Sequence, residues 1–399
     1  MNVIRQALLA VPLLLLSACG GSKGSVSPQS FQGATPSYGA LSMDQVGALD
    51  TTPLLSGVAV QPLIASTGEA LLIQGSACEP HLFLRAREVV ERVDRHLYKA
   101  LRHAEYVVSS APGVTAGASR VWEGVNADGV RVKLTVTSLA PSQFGWELQL
   151  GLPGATAFET VLSGEIDRTG ATQPHQGKGS LDVDFARLHQ IYPADPTTQG
   201  ALHLDFDTRP ASRKLAVLAT GMVWEVRDDG LGLDAATLLA LEAPRSGSYV
   251  YFREPGIGGS LKVEDQMVFA CPANPTLALA DAKLVSRWYR TAAGEVHGRT
   301  DALVSGGQFG QEDLVGVTCH GAASELTLEQ ETFWLAKDED SSGATVSGES
   351  SESLGGVTSA ACDPVLGQAP ALASAAADFA WDPALRFDDG VPFPFPGMR

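Results

Sequence analysis

From Val132 onward the apolar residues fall on every second position, and this period of two recurs through most of the chain. Val132, Leu134 and Val136 alternate with Arg131, Lys133, Thr135 and Thr137. Phe144, Trp146, Leu148, Leu150 and Leu152 alternate with Gly145, Glu147, Gln149 and Gly151. Leu181, Val183 and Phe185 alternate with Asp182 and Asp184, and Leu202, Leu204 and Phe206 with His203, Asp205 and Asp207. Successive side chains of a strand point to opposite faces, so each segment has one dry and one wet face, the antiparallel signature. Further strands are expected near 160–166, 215–226, 249–253, 261–269, 284–290, 296–304, 314–319 and 326–335. The connections Asn126-Ala127-Asp128-Gly129 and Arg227-Asp228-Asp229-Gly230 carry hairpin-turn chemistry. Only 186–192 and 234–241 offer short helices among the strands, too few for the crossovers of a parallel sheet.

One segment keeps a different period. Between Pro80 and Val108, Leu82, Ala86, Val90, Val93, Leu97, Leu101, Ala104 and Val108 recur at steps of three and four. That spacing draws one apolar stripe along a helix. Pro80 suits the first turn and Pro112-Gly113 marks the stop. Arg92, Arg95, Lys99 and Arg102 form a basic stripe on the same helix, flanked by His96 and His103. The expectation is that the apolar stripe faces inward and the basic stripe and both histidines face solvent, with anionic head groups as an alternative partner for the basic residues.

The fold class expected is therefore α+β and mainly antiparallel β. One long N-terminal helix packs on a curved multi-stranded meander or partly closed barrel. Of the 399 residues, 44% are hydrophobic, enough for one large or two ordinary cores, which excludes wholesale disorder. The net charge of −17 argues against nucleic acid, which is bound through clustered Lys and Arg. No apolar run reaches the roughly 20 residues of a membrane-spanning helix. Four regions are expected: a signal peptide over 1–18, a lipidated cysteine and flexible Gly/Ser/Pro-rich tether over 19–75, the helix-plus-sheet domain over 76–337, and an acidic Ser/Gly linker with a low-complexity tail over 338–399. Within the tether region, 54–74 has short apolar runs suited to one or two edge strands.

Arg5, the apolar run Ala7–Leu16 and the box Leu16-Ser17-Ala18-Cys19 have the layout of an export signal. This N-terminus resembles that of the bacterial lipoproteins. The resemblance implies cleavage before Cys19, a diacylglycerol thioether on its sulfur and N-acylation of the new terminus. Gly20 and Gly21, where Asp would retain a lipoprotein at the inner membrane, imply sorting to the outer membrane. The membrane is thus an expected partner through the lipid anchor. The body resembles uncharacterised exported lipoproteins, and a helix followed by a meander is similar in layout to the half-barrel periplasmic carriers of lipoproteins and lipids.

With Cys19 lipidated, Cys78, Cys271, Cys319 and Cys362 remain, an even number in an oxidising compartment. Four cysteines allow three pairings. Proximity in the chain favours Cys319–Cys362 with Cys78–Cys271. No C-x-x-C spacing supports a zinc site. Asp338, Asp340, Ser342 and Glu349 match a calcium-loop pattern with Gly343 at its sixth place. Thr345 stands where an aliphatic belongs, and 350–355 is unsuited to an exiting helix, so a solvated acidic linker is the favoured reading. No cofactor is expected. Asp182, Asp184, His203, Asp205 and Asp207 share one wet face if their strands pair, a surface able to hold a cation but ordinarily only solvated.

Hydrolase, phosphate-loop, dinucleotide and redox motifs are absent from the sequence. The reading is a membrane-anchored, non-enzymatic envelope lipoprotein that binds an apolar ligand or an envelope partner. The alternative is a purely structural or adhesive surface lipoprotein with a filled core, and an enzyme with no recognisable motif ranks third. For the ligand, the expected wall is Phe144, Trp146 and Leu148, beside the helix, because one helix about 10 Å wide cannot cover ten strands spaced ~4.8 Å apart.

Overall fold

The computed structural model describes residues 27–43, 82–209, 213–224, 243–254, 258–268, 279–290, 296–306, 312–322, 327–337 and 350–353. Among them, fifteen strands form one antiparallel sheet whose order in space is the order in the chain. The strands are β1 (Val114–Ala116), β2 (Ser119–Val125), β3 (Arg131–Ala140), β4 (Gln143–Gly151), β5 (Glu159–Asp167), β6 (Lys178–Asp184), β7 (Ala201–Asp207) and β8 (Arg213–Met222). They continue as β9 (Arg245–Glu254), β10 (Gly258–Val268), β11 (Leu279–Arg290), β12 (Val296–Ser305), β13 (Glu312–Ala322), β14 (Thr327–Lys337) and β15 (Ser350–Ser353). The sheet is not closed: β1 pairs with β2 and β15 with β14. Both of these end strands are short, which limits the exposed edge.

The alternation expected from the sequence fixes the register. On β3, Val132, Leu134 and Val136 are buried, and across the ladder they face Leu150, Leu148 and Trp146 of β4. The turn between β2 and β3 uses the Asn126–Gly129 segment. Asn126 Oδ1 accepts from the backbone N–H groups of Asp128 and Val130, and Gly129 sits at φ 77°, a conformation that favours glycine. The second expected turn, 227–230, lies outside the described residues, as do 54–74 and 234–241.

Four helices accompany the sheet among the described residues: α1 (Pro28–Gly33), α2 (Tyr38–Leu41), α3 (Leu82–Ser110) and α4 (Phe185–Ile191). The start expected for α3 at Pro80 lies outside the described residues. Helix α3 touches β2 and β3 near one end of the strand order and β10–β13 near the other. A single helix reaches both flanks only if the sheet curls around it. Its apolar stripe is buried from Ala86 and Val90 through Leu97 and Leu101 to Ala104, and Val108 packs half-buried against the same core.

Two expectations are corrected here. Wrapping from more than one side buries α3 well beyond its apolar stripe, so Arg92, His96 and His103 are buried rather than solvated. Of the basic stripe, Arg102 is exposed, while Arg95 and Lys99 are half-buried. Part of the expected tether is also built into the core: Phe31, Ala34, Leu41 and Met43 are buried in the same apolar cluster as β3 and β4. Helix α3 grips this segment through its acids. Glu105 accepts from the Tyr38 N–H at 2.7 Å and from the Ser37 hydroxyl at 3.1 Å, and Asp94 accepts from the Met43 N–H at 2.7 Å. Of the expected tail, 350–353 joins the sheet as β15.

The docked segment makes a direct test. Phe31 is 1% exposed and packs edge-on against Phe144 at 5.8 Å between ring centroids. Phe31→Ala is expected to cost about 3–5 kcal/mol in chemical denaturation, the usual range for truncating a buried aromatic. A mobile tether at this position would show no loss.

Candidate functional site

The expected ligand wall is closed by the chain itself. Phe144, Trp146 and Leu148 are 2%, 4% and 0% exposed. Trp146 stacks on Phe206 with centroids 5.9 Å apart, and its indole N–H donates to the Ala34 carbonyl beyond α1. The three residues share one face, as the period predicts, but the surface they line is core. The width argument counted only one helix, whereas the 27–43 segment also packs here, with Phe31 against Phe144 and the Ala34 carbonyl on Trp146.

The shared wet face of the acidic strands is assembled as expected if they pair. Strands β6 and β7 pair with Asp182 opposite His203 and Ser180 opposite Asp205. His203 Nδ1 lies 2.7 Å from Asp182 and Nε2 lies 3.6 Å from Asp205. Partial burial pulls the His203 pKa down, but the two carboxylates outweigh it and raise the pKa above the ordinary value. Asp207 is engaged elsewhere, in an ion pair with Arg209. Beside this surface a groove of about 350 Å³ is lined by Thr160, Ser163, Asp182, Arg187, His203 and Thr220, among others. Arg187 is paired with Asp184 at 3.1 Å. No group of three or more candidate metal ligands occurs among the described residues.

The most strongly perturbed groups lie inside the curl, where α3 meets β9 and β10. Arg92 Nη2 stands 3.4 Å from Asp265 Oδ2, and the Tyr249 hydroxyl donates to the same oxygen at 2.9 Å. The Gln266 N–H donates to Asp265 Oδ1 at 2.7 Å, and Arg245 Nη1 donates to the Gln266 carbonyl at 2.9 Å. Gly247 makes room, since a Cβ there would lie 2.3 Å from the Tyr249 hydroxyl oxygen. Burial raises the Asp265 pKa against the pull of Arg92 and Arg245, and burial with the Asp265 charge drives the Tyr249 pKa well up. Arg92 also lies over Trp224, 5.6 Å from the ring centroid. The arrangement is a buried ion pair braced by hydrogen bonds, and it ties α3 to the later half of the sheet.

Further along α3, His96 Nδ1 lies 2.9 Å from the Arg92 carbonyl and Nε2 lies 3.0 Å from the Thr197 carbonyl. Lys99 reaches Asp195 at 2.7 Å and also donates to the Thr197 hydroxyl. His103 stacks on Tyr192 at 5.5 Å, and its Nε2 has no hydrogen-bond partner among the described residues.

Sequence reasoning missed Arg245, Tyr249 and Asp265. The period of β9 puts Arg245, Gly247, Tyr249, Tyr251 and Arg253 on one face, and a face with two arginines reads as wet until the sheet is seen to curl. Cys319 lies in β13, opposite Arg299 of β12 and Gln330 of β14. Cys19, Cys78, Cys271 and Cys362 lie outside the described residues, as do Asp338, Asp340, Ser342 and Glu349. Where a calcium loop ending at Glu349 would continue into a helix, the chain enters β15. No protein-family model, curated protein or solved structure matches this chain.

Two measurements test the interior. Tyr249→Phe leaves Asp265 without one of its donors and is expected to cost about 1–3 kcal/mol in denaturant melts. Burial, with a smaller push from Arg102, lowers the His103 pKa from 6.5 to about 4. The unfolded chain therefore takes up this proton first as pH falls. The histidine removes roughly 3 kcal/mol of stability between pH 6.5 and pH 4, with no effect above that window. His103→Phe keeps a ring against Tyr192 and is expected to flatten that part of the stability–pH curve.

Proposed function

We propose that this chain is a lipid-anchored protein of the bacterial outer membrane, without catalytic activity, that acts by binding an envelope partner through its surface. The Leu16–Cys19 box and the glycines after it support the anchor and its sorting. The observation that carries the reading is the docking of 27–43. Only eight positions separate Cys19 from Ser27, and by Phe31 the chain is in the core. An anchor at Cys19 would hold the whole sheet close to the bilayer, since eight residues span at most ~29 Å. Three acyl chains bury far more CH₂ groups than the single chain that binds only marginally.

A packed surface around Trp146 favours a filled-core body over an apolar carrier at that place. The half-barrel carriers remain a likeness of layout, with a helix against a curled sheet. The buried polar groups have a structural role in this reading: Arg92 and Tyr249 both bond to Asp265.

Intact mass of protein taken from membranes is expected to show acyl chains on a terminus at Cys19, and Cys19→Ser is expected to abolish partition into detergent. An unmodified mature mass overturns the anchor. Native mass spectrometry is expected to find no lipid beyond the covalent chains, and a stoichiometric bound lipid would restore the apolar-ligand reading.

A further inference from the structure

Adjacent strands run in opposite directions, so every strand end belongs to one of two rims, and the rims differ in charge. One rim contains the connections β3–β4, β5–β6 and β7–β8. Arg168 and Arg209 lie in its connections, Lys178 opens β6, and Arg213 and Lys214 open β8. The acids on the same stretch are Asp167 and Asp207, and Asp207 is paired with Arg209. Farther along this rim, β9 ends at Glu254 and β11 at Arg290, while Arg253 is buried and adds no surface charge. On the opposite rim stand Asp128, Glu159, Asp184, Asp195, Glu312 and Asp313, against Arg131, Arg187 and Lys337. Among the described residues, cations outnumber acids on the first rim and acids outnumber cations on the second.

The N-terminal segment enters at the basic rim. The His175 N–H, in the β5–β6 connection, donates to the Gly33 carbonyl at 2.6 Å, and Phe31 meets Phe144 at the start of β4. Arg213 donates to the carbonyls of Ser42 and Gly39 at 3.0 and 3.2 Å, fixing the segment from the β8 side. Ser27, Pro28 and Gln29 are exposed. The chain therefore leaves this rim toward Cys19 with a reach of at most ~29 Å.

We propose that the rim formed by the β5–β6 and β7–β8 connections is a docking surface for an anionic lipid leaflet, with the exposed Lys178 and the half-buried Lys214 as its contacts. The assignment rests on the lipid-anchor reading for its orientation and on charge for its chemistry. Negative surface potential attracts basic residues within about a Debye length, ~8 Å at physiological ionic strength. The anchor lets the basic rim approach to within that range, with the acidic rim on the far side. The charged head groups then select which face of the tethered body meets the membrane. This replaces the membrane role expected of the helix stripe, whose Arg92 is buried inside the curl.

The test uses the chain from position 19 onward carrying Cys19→Ser, so that its outcome is independent of acylation. In flotation with vesicles of phosphatidylcholine containing 30% phosphatidylglycerol, it is expected to bind at 50 mM salt, to release at 500 mM, and to ignore pure phosphatidylcholine. Lys178→Glu with Lys214→Glu is expected to weaken binding at least tenfold, at roughly fivefold per charge removed. Arg187→Glu with Lys283→Glu makes the same change of charge away from the rim and is expected to weaken it less than twofold. Thermal melts of both double variants check folding, and single Lys178→Gln replaces the first pair if it fails to fold, with about fivefold weakening expected. Equal binding to both vesicle types, absence of binding, or equal losses in the two double variants would each overturn the rim assignment. Loss of acylation at Cys19 with rim binding intact would instead overturn the anchor alone.

Discussion

A fifteen-stranded sheet that is dry on one side cannot leave that side in water. At about 25 cal/mol per Å² of apolar surface, each buried Leu or Phe on its inner face contributes on the order of 1.5–3 kcal/mol. The sheet meets this demand by curling around α3 and by drawing in 27–43 to cover Trp146 and Phe144. The other features of the molecule follow from that enclosure. The edges stay short, the helix is buried from several sides, and the N-terminal segment becomes structural.

Enclosure changes what polar groups on α3 have to do. On a half-exposed helix, Arg92 and His96 would be solvated at little cost. Inside the curl, an isolated charge costs several kcal/mol, and breaking a buried pair leaves that cost uncompensated. Arg92 is accordingly held between Asp265 and the Trp224 face, while His96 and Lys99 meet the loop that carries Asp195 and Thr197. These contacts give specificity of placement. They fix the rotation of α3 and its level along the strands, which interchangeable apolar contacts do less well.

The same enclosure separates the two rims. Inner positions belong to the core and outer positions are solvated, so strand ends and connections are where charge can be segregated freely. The α1–α2 segment seals the basic end, and α4 with the 192–200 loop packs near the other. A body built this way has one end defined by its own N-terminal chain, and that end carries Lys178 and Lys214.

How much was legible depended on the range of the interaction. The period of two gave the strands and their dry faces, because alternation is a local property of an extended chain. The turn at Asn126–Gly129 followed from the same local rules, as did the common face of Asp182 and His203 once their strands pair. The basic stripe of α3 and the inner face of β9 were not legible in this way. Arg92 and Arg245 lie inward only because strands far apart in the chain close over them.

The segment around Phe31 shows the same division. Its Gly/Ser/Pro-rich composition describes a tether, yet a few apolar side chains suffice to dock it once a bare sheet face lies beside it. The sequence by itself determined the strand ladder, its antiparallel sense and the amphipathic helix, since each depends on neighbours within a few residues. Only the tertiary structure decided how far the sheet curls, which polar groups it traps and which end the N-terminal segment seals. Those outcomes depend on contacts between residues as distant as Arg92 and Asp265, and no local pattern records them.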